Sequence, residues 1–222
     1  MEIQNIKDLK RAFKLLSKVN KAIEIISQET LGLRAISQSD ISLLDIKTNI
    51  PTEENYRFGI SVDKIVDMIS GDRIKLSKEE EKLIVEIISD KISKKVAIGT
   101  FDYPALDLST YDPKSYIKLD AKTFMEAIED VENLANHAEI NFEEDSLIIR
   151  AGSYQKTDSY ESKISDLTGK GREKALIPVK YLSPLKDIEG EITLRVEEKK
   201  PLIIEFNLNE WLAKLYVAQA ME

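Results

Sequence analysis

The chain has 222 residues, of which 42% are hydrophobic and 32% are charged, enough for one large domain or for two domains of about 100 residues each. It contains no cysteine and one histidine, His137, which excludes disulfides, thiolate chemistry and any site that needs two histidine ligands. The formal net charge of −8 argues against general affinity for nucleic acid, although it leaves room for a local basic surface.

The first half of the chain is predicted to be a helix followed by short strands. Residues 1–6 form a short strand, and Asn5 caps a helix over about residues 7–19 whose apolar face is Leu9, Ala12, Phe13, Leu16 and Val19. After Lys21 the pattern changes to short runs rich in Ile and Leu that are typical of strands: KAIEIIS, LGLRAIS, SLLDIKT and YRFGIS. Ser61 then caps a short helix that ends near Gly71 and buries Ile65, Val66 and Ile69. Three more strands follow: RIKLS, KLIVEIIS and KKVAIGTF.

A basic stripe runs along the first helix. Lys7, Arg11, Lys14 and Lys18 recur at i, i+4, i+7 and i+11, which places them on one helical face, and Lys10 lies beside them. Taken alone, such a stripe is more typical of a solvated helix face than of a binding site.

A proline-containing segment, residues 101–116, separates the two halves. Pro104 and Pro113 lack a backbone donor, so neither a central strand nor a helix interior suits this run. The segment also carries more apolar side chains than a plain spacer needs: Phe101, Tyr103, Leu106, Leu108 and Tyr111. We therefore expect a connecting linker between a domain over residues 1–100 and a second domain over residues 117–222.

The second half of the chain repeats the first. The strand IKLD is followed by a helix that is capped by Asp120 and ends at about Ala135. The apolar residues of this helix lie 115 positions after those of the first helix: Phe124, Ala127, Ile128, Val131 and Leu134. A short helix over about residues 179–187 matches the one after Ser61. The runs EITLR, PLIIEF and LYVA match RIKLS, KLIVEI and KVAI. The shared order predicts a tandem duplication in the α+β class, with antiparallel sheets and helices segregated on one side.

Several segments resemble sliding clamps of the proliferating cell nuclear antigen (PCNA) type, most of all the archaeal members. They are LGLRAISQSDISLLDI, KYLSPL, PLIIEF and LYVAQAME, and the resemblance covers essentially the whole chain. It implies two clamp-type domains, each with antiparallel sheets outside and two helices that line the inner face. Three such subunits would close head to tail into a ring around duplex DNA. The ring would tether DNA polymerase, the clamp loader and other replication and repair proteins, with no cofactor and no catalytic site.

The resemblance turns the basic stripe into a candidate surface for sequence-independent contact with DNA phosphates. The implied residues are Lys7, Lys10, Arg11, Lys14, Lys18, Lys64 and Lys180. The second long helix departs from the family pattern, because its outer face carries Glu126, Glu129, Asp130 and Asn133, with Lys122 as its only base. Either the second half contributes little to DNA contact, or the subunit belongs to a mixed ring; homotrimer and heterotrimer both stay open.

The resemblance also implies a pocket for client peptides that carry an aliphatic anchor followed by aromatic anchors. A loop after the third strand, the linker and the C-terminal half would build it, with Ile36, Ser37, Asp40, Ile41, Leu43, Leu106, Leu108, Pro201, Tyr216, Ala218, Gln219 and Ala220. Leu43 and Tyr216 are as compatible with an ordinary core as with this pocket. Ala218, Gln219 and Ala220 stand where the family usually has an Ala-Pro-basic pattern, a departure that bears on client preference.

Two strand edges are implied for ring closure. They lie near residues 95–101 and 160–164, and the interface residues expected there are Lys95, Val96, Ile98, Tyr160, Ser162 and Ile164. A head-to-tail ring needs two different edges on each subunit, because a twofold contact would stop at a dimer.

The remaining motifs favour no other function. His137 is expected in a surface turn, the acidic runs at residues 79–81 and 143–145 in solvated turns, and Gly169 and Gly171 in a flexible loop. No apolar run approaches the roughly 20 residues that span a bilayer, so we expect a soluble protein without membrane partners. We expect it in the archaeal cytoplasm near the nucleoid, or in a eukaryotic nucleus. An unrelated enzyme on an α+β scaffold is the least favoured hypothesis, since nucleophile, base and metal ligands are all missing.

Overall fold

The computed structural model describes residues 1–63, 65–104, 111–152 and 159–220. It divides into two compact units. Unit 1 comprises Met1–Leu106 with Asn207–Ala213, and unit 2 comprises Asp107–Phe206 with Lys214–Glu222.

Unit 1 begins with a short strand and a helix and continues as antiparallel strands. Its elements are β1 (Glu2–Ile3), α1 (Ile6–Val19), β2 (Ala22–Ser27), β3 (Thr30–Ile36), β4 (Ser42–Pro51), β5 (Tyr56–Ser61), β6 (Arg73–Glu79), β7 (Lys82–Ser89) and β8 (Ile92–Gly99). The strands pair in the orders β1-β6-β7-β8 and β4-β3-β2-β5. Helix α1 packs on β2, β3 and β4.

Unit 2 has the same plan with one added strand. Its elements are β9 (Ser115–Asp120), α2 (Ala121–Glu132), β10 (His137–Glu143), β11 (Ser146–Gly152), β12 (Glu161–Ile164), β13 (Thr168–Lys170), β14 (Lys174–Pro178), a 3-10 helix (Val179–Asp187), β15 (Glu191–Val196), β16 (Leu202–Leu208) and β17 (Trp211–Val217), of which the end of β16 and the start of β17 are grouped with unit 1. The strands pair in the orders β9-β15-β16-β17 and β12-β11-β10-β14, and β13 adds to β9. Helix α2 packs on β9, β10, β11 and the 3-10 helix.

The strand orders of the two units correspond apart from the added β13, as the duplication in the sequence predicts. In each unit the first strand pairs within the same sheet as the last three strands. With β13 set aside, the four strands that follow the helix pair in the matching orders β4-β3-β2-β5 and β12-β11-β10-β14. The match extends beyond the strands. Phe101 N donates to Gly59 O at 3.0 Å in unit 1, and Ala220 N donates to Leu176 O at 2.8 Å in unit 2.

Local chemistry accounts for both long helices. Asn5 caps α1 by accepting a hydrogen bond from Asp8 N, and Asp120 caps α2 by accepting one from Thr123 N at 3.0 Å. The predicted apolar residues of both helices are buried, apart from the half-buried Val19 and Leu134 at their ends. Burial of these stripes, rather than helix propensity, provides most of the stabilisation of helices this short.

The short helix predicted after Ser61 is wrong, because the described residues of that segment form hydrogen-bonded turns. Ile65 N donates to Val62 O at 2.9 Å and Ile69 N donates to Ile65 O at 3.0 Å. Ile65 and Ile69 are buried as predicted, and Val66 is half-buried. A segment this short forms too few backbone hydrogen bonds to offset the cost of helix nucleation. Burial of Ile65 and Ile69 stabilises the turns instead.

Its counterpart in unit 2 is a helix with the predicted bounds, but of the 3-10 type. Pro184 lies inside it, and a proline ring clashes with the carbonyl four residues earlier in an α-helix. Leu182 and Leu185 are fully buried beneath it.

Two other sequence-based expectations are also wrong. Gly169 lies in β13 opposite Ile117, not in a flexible loop, and a Cβ there would come within 2.5 Å of Ile117 Cγ1. Gly171 has φ +98°, which favours glycine. His137 begins β10 rather than occupying a turn.

Candidate functional site

The solvent-facing side of α1 is basic. The helix carries five basic side chains and one acidic side chain, and the acid, Asp8, is buried, where it accepts hydrogen bonds from Asn5 and Asn209. Lys7, Lys14 and Lys18 are exposed, whereas Lys10 and Arg11 are half-buried. The charges that face solvent along this helix are therefore all positive.

The other basic residues predicted to contact DNA lie in different places. Lys180 is exposed on the 3-10 helix, with its Nζ 4.7 Å from the centre of the Tyr181 ring. Lys64 lies outside the described residues.

The matched helix in unit 2 has the opposite charge. Helix α2 carries one basic and four acidic side chains, and all four acids are exposed. Lys122 pairs with Glu126 at 3.8 Å. Lys186 of the 3-10 helix lies 3.6 Å from Glu129 and 3.1 Å from Glu132, and its hydrogen bond to Glu132 raises the pKa of Lys186. Both lysines near this face are thus engaged by carboxylates.

The β3–β4 loop, residues 37–41, is organised by one side chain. Ser37 Oγ accepts hydrogen bonds from Ile41 N at 3.1 Å and from Ser42 N at 3.0 Å. Asp40 has φ +55° in this turn. Of the residues predicted to bind clients here, Ile36, Ser37 and Leu43 are buried, Ile41 is half-buried and Asp40 is exposed.

The first residues of the linker are fixed on unit 1. We call residues 101–104 the linker anchor. Phe101 forms a two-way backbone bridge with Gly59, and Arg57 Nη2 donates to the carbonyl of Pro104 at 3.4 Å. The Tyr103 hydroxyl donates to Ala22 O at 3.3 Å and accepts from Ile36 N at 3.0 Å, an interaction that the sequence did not predict. Leu106 and Leu108 lie outside the described residues.

The predicted client residues of unit 2 are held by their own unit. Gln219 Nε2 donates to Glu197 O at 2.9 Å and to Lys200 O at 2.6 Å. Tyr216 is buried, whereas Pro201, Ala218, Gln219 and Ala220 are half-buried.

A row of charges crosses the sheet beneath the linker anchor. In β2, β3 and β4, Glu24 lies opposite Arg34 and Arg34 lies opposite Asp45. Arg34 Nε is 3.0 Å from Asp45 Oδ1, and Arg57 of β5 pairs with Glu24. Glu24 is fully buried, and its Oε2 has no hydrogen-bond partner, although Arg34 Nη1 lies 3.6 Å away. The charges of this row balance, as buried charges must.

Both predicted ring-closing strands end their sheets. Strand β8 is the last of β1-β6-β7-β8, and β12 is the first of β12-β11-β10-β14. Val96 and Ile98 in β8, and Ser162 and Ile164 in β12, are half-buried, while Lys95 is exposed and Tyr160 precedes β12. Ile92 at the start of β8 is 56% exposed. Strand β8 ends at Gly99, so Phe101 belongs to the bridge with Gly59 and not to this edge.

The acidic runs noted in the sequence take part in ordinary ion pairs. Glu79 lies 3.6 Å from Lys95, Glu143 lies 3.3 Å from Lys163, and Glu144 lies 3.2 Å from Arg172. Within residues 1–63, 65–104, 111–152 and 159–220, no group of three His, Asp or Glu side chains is placed to hold a metal ion. In the same ranges no helix is long and apolar enough to cross a membrane.

Comparison with known proteins identifies the fold. No protein-family model and no curated protein sequence matches the chain. Among solved structures, it resembles a chain of the PCNA2–PCNA3 complex from Sulfolobus tokodaii with a TM-score of 0.78 and 15% identity, over 100% of this chain and 99% of that chain. The predicted resemblance to PCNA-type clamps is confirmed at the level of the fold, which is α+β with antiparallel sheets.

Proposed function

We propose that this chain, which has the fold of a PCNA-type clamp, is a DNA sliding clamp. Its subunits would encircle duplex DNA as a trimeric ring and tether DNA polymerase, the clamp loader and repair proteins. The observation that carries this proposal is the likeness in fold over the full length of both chains. Because fold alone does not establish function, the proposal also rests on the surfaces of the two units.

The basic side of α1 supports contact with DNA. A clamp must hold DNA without reading its sequence, so it needs attraction to phosphates and no contacts to bases. Exposed lysines on a rigid helix meet this need, and Lys7, Lys14 and Lys18 are such lysines. Lys180 adds one more positive charge on the 3-10 helix.

The β3–β4 loop supports binding of client peptides. Ile41 is half-buried, whereas Ile36 and Leu43 at the two ends of the loop are buried in the core. The loop therefore presents part of one apolar side chain, Ile41, to solvent. A peptide with an aliphatic residue followed by two aromatic residues would gain roughly 1.5–3 kcal/mol for each large side chain that it buries fully.

Strands β8 and β12 support ring closure. Unpaired backbone groups at a sheet edge are a template for another chain, and a head-to-tail ring needs two different edges. We propose that β8 of one subunit pairs with β12 of the next.

A second candidate function is that of one subunit in a heterotrimeric ring. Acidic α2 favours it, since a ring made only of this chain would present three acidic helices to DNA. Partner subunits with basic helices in the matching place would supply the missing charge. The solved structure with a similar fold is a complex of two different PCNA chains, which fits this candidate.

A polymerase processivity assay tests the proposal. Extension of a primer on singly primed circular DNA is measured with the purified chain alone and with related clamp subunits, in each case with a clamp loader. Longer products with the chain alone support a homomeric clamp, and longer products only in the mixture support the heteromeric candidate. Unchanged product length in every mixture would contradict both. Light scattering of the same samples gives the subunit count directly.

A further inference from the structure

The pairing of β2 with β3 is interrupted near the linker anchor. The two strands pair in register from Ser27 opposite Leu31 to Glu24 opposite Arg34. Extended by two residues, this register places Ala22 opposite Ile36. An antiparallel ladder would join such a pair by direct bonds between its backbone groups.

Two side chains occupy the place of those direct bonds. On one side, the Tyr103 hydroxyl accepts from Ile36 N at 3.0 Å and donates to Ala22 O at 3.3 Å. On the other side, the Asn20 carboxamide accepts from Ala22 N at 3.1 Å and donates to Ile36 O at 2.6 Å. All four backbone groups are satisfied, yet the two strands are held apart by a hydroxyl and a carboxamide.

Tyr103 is itself held by the linker anchor. Phe101 on one side is bridged to Gly59, where a Cβ would come within 2.3 Å of the Phe101 ring. Pro104 on the other side accepts a hydrogen bond from Arg57. Burial raises the pKa of the Tyr103 hydroxyl against the opposing effect of the Ile36 amide, so the proton that it donates to Ala22 stays in place at neutral pH.

Ile36 is the last residue of β3 and leads directly into the β3–β4 loop. Ser37 N donates to Ser42 O at 2.8 Å, and Ser37 Oγ holds the amides of Ile41 and Ser42. The loop is therefore rigid relative to Ser37, and the direction in which it leaves the sheet is decided at Ile36.

We propose that Tyr103 is a positioning residue that couples the linker to the client-binding loop by holding the Ala22–Ile36 pair open. The inference rests on the proposed function, because it assumes that this loop binds client peptides. Without the hydroxyl, either the Ile36 amide loses its partner or the strands close by one pair and draw the loop towards β2. Closure of the strands would move Ile41 away from the position that a client anchor meets, and loss of the amide's partner would leave the start of the loop less firmly held.

The test is Tyr103→Phe, which removes the hydroxyl and keeps the ring. Calorimetric titration uses a synthetic peptide with one aliphatic residue followed by two phenylalanines. We expect affinity to fall roughly fivefold or more, the worth of one or two buried hydrogen bonds. The matched control is Tyr56→Phe, which removes the hydroxyl of a half-buried tyrosine hydrogen-bonded to Ser27 elsewhere in unit 1; its affinity should stay within about twofold of wild type.

Two further measurements separate positioning from general stability. Amide hydrogen exchange at Ile36 should accelerate in Tyr103→Phe and not in Tyr56→Phe, and peptide binding to wild type should slow it, as linkage requires. In a double-mutant cycle, Tyr103→Phe should cost less affinity in an Ile41→Ala background than in wild type.

The outcomes distinguish the two proposals. If wild type binds the peptide and the Tyr103→Phe and Tyr56→Phe variants bind it with equal affinity, the role of Tyr103 is overturned and the proposed function stands. Additive effects of Tyr103→Phe and Ile41→Ala would also overturn that role. Failure of wild type to bind any such peptide would instead contradict the client site of the proposed function.

Discussion

At the scale of single residues, the duplication carries the same charges into different environments. Glu24, Arg34 and Asp45 lie opposite one another across three strands of unit 1, and Glu139, Arg150 and Glu161 do so in unit 2. The Glu24 side chain is 0% exposed, whereas those of Glu139 and Arg150 are 37% and 44% exposed. An ion pair in water contributes little to stability because solvent screens it, whereas removing one partner of a buried pair is strongly destabilising because the other charge stays buried.

This difference predicts unequal costs for the same substitution. Glu24→Ala should lower the free energy of unfolding by about 3 kcal/mol, because it leaves the largely buried Arg34 guanidinium with one carboxylate fewer. Glu139→Ala should cost less than about 1 kcal/mol, because solvent screens the exposed pair with Arg150. Urea denaturation of both variants measures the two costs. Equal costs would contradict the assignment of Glu24 to a buried network.

A second prediction concerns acid stability. Burial acts to raise the pKa of Glu205, but its hydrogen bonds with Lys214 and Arg195 outweigh burial, and the net pKa is lowered from 4.5. A lowered carboxyl pKa contributes stability that is present above 4.5 and is lost as the pH falls through the folded-state value. Glu205→Gln should therefore make unfolding free energy depend less on pH below about 4.5.

The matched position in unit 1 provides the control for this pH prediction. Glu86 in β7 matches Glu205 in β16, because KLIVEI and PLIIEF are matching runs. Glu86 accepts a hydrogen bond from Ser93, while Lys95 on the neighbouring strand pairs with Glu79 instead. Glu86→Gln removes one carboxylate outside the Lys214 and Arg195 network, so it controls for the loss of a negative charge as such. Urea denaturation at several pH values measures both variants, and an unaltered profile in Glu205→Gln would contradict the prediction.

At the scale of elements, helices α1 and α2 share a fold position but differ in charge. Helix α1 carries five basic side chains and one buried acid, whereas α2 carries one base and four exposed acids. The acids near the end of α2 also oppose its macrodipole, and Lys186 from the 3-10 helix compensates by pairing with Glu129 and Glu132.

We predict that α1 provides most of the attraction to DNA. Replacing Lys7, Lys14 and Lys18 with Gln should reduce polymerase stimulation and weaken the salt dependence of DNA association, because fewer counterions are released. The control replaces the exposed Lys47, Lys170 and Lys174 with Gln, which changes net charge equally. Equal losses in both triple variants would show that net charge, and not α1, sets the attraction.

At the scale of the whole molecule, the assembly that we propose depends on strands that end their sheets. Among the described strands, β8 and β12 both occupy terminal positions. Exposed and half-buried side chains alternate along β12 and along the second half of β8 from Lys95, whereas the first half of β8 is exposed throughout. Such a strand can accept another chain through its free backbone groups. Phe101 and Gly59, by contrast, use their backbone groups on each other.

The prediction for assembly uses proline, which lacks the backbone donor. Ile98→Pro in β8 and Lys163→Pro in β12 should each shift the mass measured by light scattering from trimer towards monomer. Far-ultraviolet circular dichroism should stay close to wild type, since both changes fall in edge strands. An unchanged trimer mass in both variants would mean that other edges close the ring.

Features that depend on near neighbours along the chain could be predicted from the amino-acid sequence. The spacing of Leu9, Phe13 and Leu16 predicted α1, since a period of 3.6 residues places them on one face. Asn5 and Asp120 marked both helix starts, because a cap needs only the next three residues. The repeated order of strands and helices predicted the α+β duplication that the sheet topology confirms.

Features that depend on residues far apart in the chain could not be predicted from local patterns and became visible only in the folded structure. Glu24 and Glu139 occupy matching strand positions, yet Glu24 is fully buried and Glu139 is only half-buried, because burial is set by what packs above a strand. Nothing in the sequence around Tyr103 indicates that its hydroxyl lies between Ala22 and Ile36, since that contact joins residues 67 and 81 positions apart. The local sequence pattern predicted that Gly169 lies in a flexible loop. The pairing of β13 with β9 instead places it against Ile117, and such pairing cannot be read from neighbouring residues.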